Sequence, residues 1–120
     1  MKNKKKYLSL RKIQKRDGTF VPFDMGHIKR AIFRAMNNTK EGGEQDAESV
    51  SYKVMDALLA LRKERKQKIF IPNVETIQDI VENELIAANF IQTAKAYILY
   101  RKNRAEIRQK IGFVPEKVKE

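Results

Sequence analysis

Apolar residues follow two rhythms along this chain, and the change of rhythm marks out its elements. Between residues 7 and 14, Leu8 and Leu10 alternate with polar neighbours and Ile13 follows, the period-two spacing of a strand. Residues 19–23 have the β-branched and aromatic composition of a returning strand. Asp17-Gly18 between them predicts a hairpin closed by a two-residue type I′ turn, where glycine supplies a positive φ without steric cost. Pro22 cannot donate to a ladder, so the second strand is short or at an edge. The period then lengthens to 3.6. Ile28, Ala31, Ile32, Ala35 and Met36 fall on one face of a helix that Asp24 is placed to cap. Residues 37–44 form a polar loop, and a second helix over about 47–62 buries Val50, Val54, Leu58 and Leu61. Residues 68–72 (KIFIP) have the character of a third strand stopped by proline. Asn73 caps a third helix with the stripe Ile77, Ile80, Val81 and Leu85. The last helix, about 91–109, carries Ala94, Tyr97, Ile98 and Arg101 on one side, and Gly112 and Pro115 end it. The predicted fold is α+β: a small three-stranded sheet, made of the hairpin plus a third strand, covered by four helices.

Composition narrows the class. A chain of 120 residues with 42% hydrophobic content suits one domain with one small core. It has no cysteine, which excludes disulfides and thiolate zinc sites. No apolar run approaches the ~20 residues of a membrane span, and the apolar stretch after the basic start is too short for a signal peptide. The expected location is the cytoplasm, with no membrane partner. Lys and Arg number 26 against 15 Asp and Glu, a net charge of +11. That excess suits a polyanion as well as it suits simple solubility. Much of it lies in the first six residues, which read as a frayed tail, and near the end.

Conventional catalysis finds little support. His27 is the one histidine, with no nucleophile motif beside it, and reads as a surface or capping residue. Asp79, Glu82 and Glu84 read as a solvated helix face. HExxH, an EF-hand loop and both common glycine-rich phosphate loops are missing from the sequence. The chain is not expected to be an enzyme by itself or to carry a metal site of its own.

The hairpin is more suggestive. Lys15 and Arg16 end its first strand, where side chains point to opposite faces, and Asp24 stands one short strand later. Cations at one end suit phosphate, while a carboxylate, which only accepts hydrogen bonds, suits the exocyclic amino group of a purine. Spacing by itself favours the plainer reading: exposed strand cations and an ordinary helix cap.

Taken together, IQKRDGTFVPFD with the following IKRAI, then VETIQDIVENEL, then AKAYILYRKNR resemble the ATP-cone. This is a nucleotide-binding regulatory domain at the N-terminus of many ribonucleotide reductases, the anaerobic type included. The resemblance covers about residues 10–106, which leaves 1–9 as a basic tail and 107–120 as a tail or linker. It implies a three-stranded sheet with a four-helix bundle and an ATP or dATP pocket between hairpin and helices. By position, Ile13 would line that pocket, Lys15 and Arg16 would contact the nucleotide with Lys15 on phosphate, and Asp24 would meet the adenine amino group. His27 and Arg30 would face the ligand from the first helix. Val74 and Gln78 would lie near sugar and phosphates, and Lys102 would bind phosphate. His27 stands where many members have lysine, and a mostly neutral imidazole would hold phosphate or ribose less well.

The function this implies is allosteric. ATP would signal an active state and dATP an inhibited one, through altered oligomerisation, with Mg2+ held by the phosphates. The partners would be a reductase catalytic subunit, or the rest of the same chain, and further copies of itself. The end at FVPEKVKE favours a domain excised from a longer protein. Alternatives are a nucleic-acid-binding or transcriptional module of deoxyribonucleotide synthesis, which the charge supports, and a degenerate cone that mediates only protein contacts.

Overall fold

Two strands and four helices follow one another along the chain in the computed structural model, which describes residues 7, 9–66 and 69–111, the side chains of 108–111 excepted. The tail expected over residues 1–6, the segment after 111, and Leu8, Gln67 and Lys68 lie outside them.

Helix α1, Met25–Thr39, starts where expected: the Asp24 carboxylate accepts the Gly26 amide at 2.9 Å. Ile28, Ile32 and Met36 are its buried face, and Lys40 ends it in the left-handed conformation. Helix α2, Glu44–Arg65, is longer at both ends than its apolar stripe indicates. Asp46 accepts the Gly43 amide at its start, and Arg62, Lys63 and Arg65 offset the helix dipole at its end. Helix α3, Val74–Ala87, is capped by Asn73, whose side chain accepts the Thr76 amide at 2.8 Å. Helix α4 spans Ile91–Ile111, and its first turn is capped from a distance, Glu41 accepting the Thr93 amide at 2.6 Å.

The helices close into a ring, α1 and α3 each packing against both α2 and α4. Ile32, Met36, Val54, Leu58 and Leu85 are fully buried at the centre. Burial on this scale stabilises by ~1.5–3 kcal/mol for each large apolar side chain. Thr93 is buried among them with its hydroxyl 3.1 Å from that of Thr39, so its polar atom is not left unmatched.

The sheet departs from expectation. Strand β1, Lys12–Gln14, pairs antiparallel with β2, Phe20–Pro22, with Ile13 opposite Val21, and the sheet has these two strands alone among the described residues. The fold is α+β and mainly helical. The expected third strand is reduced to one parallel bridge between Gln14 and Asn73, with the Gln14 amide donating to the Pro72 carbonyl at 3.0 Å. Pro72 has no N–H to return, and Asn73 is already committed to capping α3, so the ladder stops there.

The first strand is also shorter than predicted. Tyr7 and Leu10 are buried in the core ahead of it, and the Tyr7 hydroxyl donates to Asp56 at 2.6 Å. The turn is of another kind. The Gly18 amide donates to Lys15 and the Lys15 amide to Thr19, which encloses a three-residue loop, Arg16 to Gly18. Only Gly18, at φ +91°, is left-handed within it. Asp17 instead accepts from both the amide and the hydroxyl of Thr19, at 3.0 and 2.7 Å, which fixes it on the ordinary side of φ space.

Candidate functional site

Because the turn takes three residues, Arg16 belongs to the loop and not to the strand. Strand alternation therefore does not govern its direction, and its side chain reaches the first turn of α3. Its Nε lies 2.6 Å from Glu75 Oε2, and its Nη2 donates to Gln78 Oε1 at 2.9 Å. Glu75 continues the chain of contacts, its Oε1 accepting from Arg101 Nη2 of α4 at 2.6 Å. The Nη1 of Arg101 faces Glu82 at 2.6 Å and Asp79 at 2.9 Å. Hairpin, α3 and α4 are thus joined by one line of alternating charge.

This line separates two cavities of about 310 Å³ each. The first lies between the turn and the start of α3, with Lys15 and Gly18 on one side and Asn73 and Val74 on the other. The second lies between α3 and α4, with Glu82 facing Ile98, Arg101 and Lys102. Arg16 and Glu75 border both. Each volume is at the lower limit of ordinary ligand pockets.

The first cavity also receives the N-terminus of α3. Asn73 takes the Thr76 amide through its side chain and the Ile77 amide through its carbonyl. Helix geometry gives the amides of Val74 and Glu75 no intrahelical acceptor, and with the helix dipole they form a place for an anion. Lys15, Arg16, Lys102 and this helix end suit a polyphosphate in charge and in hydrogen-bond donors.

Charges within the line hold one another. The hydrogen bond from Arg101, against some desolvation and reinforced by Arg16, keeps Glu75 below its ordinary carboxylate range. Desolvation acts to lower Arg101, yet its bonds to Glu75, Glu82 and Asp79 hold it above its ordinary value. Burial pushes the neighbouring Tyr97 phenol up to about 12.

A family model for the ATP cone domain matches residues 11–106. The chain belongs to the ATP cone family. This cone is 40% identical over 105 residues to a vitamin B12-dependent ribonucleoside-diphosphate reductase of Thermoplasma acidophilum, covering 83% of the cone and 13% of that protein. It is 38% identical over 97 residues to the protein of that name in Mycobacterium tuberculosis, covering 81% and 13%. It is 35% identical over 107 residues to an anaerobic ribonucleoside-triphosphate reductase of Salmonella typhimurium, covering 89% and 14%. The cone therefore spans a small fraction of each relative's length.

The residues singled out by sequence fall into separate groups in this cone. Lys15, Arg16 and Val74 line the first cavity, Lys102 lines the second, and Gln78 holds Arg16. Asp24, His27 and Arg30 line neither. They gather at the start of α1, where the carboxylate of Asp24 caps the helix and faces Arg30 Nη2 at 3.4 Å. His27 is exposed, and its amide donates to the Asp24 carbonyl. Ile13 is half-buried and packs against the core.

Sequence reasoning missed Glu75 and Arg101 as parts of this site and read Asp79 and Glu82 as plain solvated positions. Glu82 is largely buried, with 19% of its side chain exposed, and both it and Asp79 pair with Arg101. A signal was there. Glu75, Asp79 and Glu82 recur at i, i+4 and i+7, one acidic line along α3, and Arg101 continues the buried stripe of Ala94 and Tyr97 on α4.

Proposed function

We propose that this cone is an allosteric module that binds ATP or dATP and regulates a ribonucleotide reductase. The observation that supports it is a pair of cavities that share Arg16 and Glu75 as a border, with Lys15 lining the one at the N-terminus of α3 and Lys102 the one between α3 and α4. Lys15 and the first turn of α3 hold phosphate, and Lys102 approaches it from α4. Val74 and Gln78 lie toward the sugar. The exposed Asp24 carboxylate accepts the adenine amino group, exchanging its long contact to Arg30 for it. Mg2+ arrives as a ligand of the phosphates.

A nucleotide seated this way touches hairpin, α3 and α4 together, so its binding changes how those elements pack. ATP and dATP differ at the ribose 2′-hydroxyl, and a coupling of about 1–3 kcal/mol is enough to convert that difference into a different assembly state. The reductases among the relatives supply the partner: a catalytic chain of that kind, joined to the cone or bound by it.

Titration calorimetry with ATP, dATP and GTP tests the reading, followed by light scattering with each adenine nucleotide. Binding of ATP and dATP in preference to GTP, with a different solution mass in each, is expected. No heat from either adenine nucleotide at millimolar concentration overturns it.

A further inference from the structure

Glu75 occupies an unusual position for a residue on the wall of an anion site. One carboxylate oxygen meets Arg16 and the other meets Arg101, each at 2.6 Å. A phosphate bridging the hairpin and α4 would make the same two contacts with the same two guanidinium groups. Carboxylate and phosphate compete directly for such donors, because both present paired anionic oxygens to a planar fork.

We propose that Glu75 is a built-in competitor of the phosphate ligand: its carboxylate holds Arg16 and Arg101 until a phosphate takes both over, and it thereby sets the concentration at which the cone responds. This rests on the polyphosphate reading of the site given above.

Charge explains why Glu75 must give way. Arg16 and Arg101 face Glu75, Asp79 and Glu82, so the line is net negative before Lys15 and Lys102 are counted. A polyphosphate approaching it with every carboxylate in place meets repulsion at the cations it needs. Burial explains why Glu75 is the one to leave. Half of its side chain is exposed, against 19% for Glu82, and it stands on the first turn of α3 at the border of both cavities. Its carboxylate can turn into water at little cost, whereas Glu82 would leave Arg101 without its better-buried partner. Glu82 therefore keeps Arg101 in position while Glu75 is exchanged.

The exchange also changes what links the elements. With Glu75 in place, α3 supplies the bridge between hairpin and α4. With phosphate in place, the ligand supplies it, while α3 keeps only its separate holds, Gln78 on Arg16 and Glu82 with Asp79 on Arg101. The competitor is thus a threshold and a switch in one side chain.

The test compares wild type with Glu75→Gln, which keeps the shape and removes the charge, using inorganic tripolyphosphate and ATP as titrants. Glu44→Gln, at the start of α2, lining neither cavity and paired with Lys29 at 3.5 Å, controls for net charge. Glu75→Gln is expected to bind tripolyphosphate about tenfold more tightly than wild type, and Glu44→Gln to match wild type. Equal or weaker tripolyphosphate binding by Glu75→Gln, or an equal gain in Glu44→Gln, overturns the proposal. Should Glu75→Gln fail to fold by circular dichroism, Glu75→Ser is read in the same way. If tripolyphosphate binding tightens as expected while ATP binds no better than tripolyphosphate in either form, the exchange stands and the nucleotide reading falls.

Discussion

Arg101 Nη1 lies 2.6 Å from Glu82 Oε2 across the α3–α4 interface, with only 20% and 19% of the two side chains exposed. Removing the cation leaves a poorly hydrated carboxylate without its partner, and Asp79 and Glu75 lose the same group. Arg101→Leu is expected to lower stability by about 1–3 kcal/mol. The midpoint of urea unfolding measures it, and an unchanged midpoint would show that the pair contributes nothing net.

The hairpin loop depends on the backbone freedom of Gly18. A Cβ there would meet no atom within 4 Å, so any cost of Gly18→Ala comes from φ +91° and not from crowding. A loss of ~1–2 kcal/mol in thermal unfolding is expected. Gly18→Asn, which tolerates the left-handed region better, should recover part of it.

Much of the helical layer was legible from the sequence. Asp24 and Asn73 act as the caps they resemble, and Ile28, Ile32, Met36, Val50, Val54, Leu58, Ile77, Val81 and Leu85 are buried as their period demands. Caps and amphipathic period are local properties, so local reading finds them. The third strand failed because strand character in residues 69–71 says nothing about whether Pro72 can share a ladder. The turn failed because Asp-Gly fits two hairpin geometries, and the choice lies with the Thr19 side chain. The acidic partners of Arg101 were missed because an ion pair between helices depends on which faces meet. The spacing within α3 marks Glu75, Asp79 and Glu82 as one acidic line, but it does not say that the face of α4 carrying Arg101 meets it.

Acid should loosen the start of α4. Glu41 is held below its ordinary value of 4.5, first by its hydrogen bond to the Thr93 side chain and then by the amides of Thr93 and Gln92. A depressed carboxylate adds stability that is present above the unfolded value and lost as pH falls through the folded one. Wild type should therefore exceed Glu41→Gln in urea midpoint at pH 7, and the gap should close between about pH 4.5 and lower pH. A gap that persists unchanged at pH 2.5 would assign the difference to something other than ionisation.

Lys15 and Lys102 approach the site from opposite ends of the chain and border different cavities. Each is exposed, so alanine at either position should leave unfolding midpoints within about 0.5 kcal/mol of wild type. Each should weaken ATP binding by roughly tenfold in calorimetry through loss of a charge-assisted hydrogen bond. Wild-type affinity in both variants would remove the phosphate role from these lysines.

The bond from the Gln14 amide to the Pro72 carbonyl has a mechanical side. Proline's ring fixes its backbone angle, and the very next residue caps α3. The hairpin is therefore mounted on a stiff bracket at the root of that helix. The turn and the helix start are thus tied within two residues of each other, Pro72 holding the hairpin and Asn73 the helix.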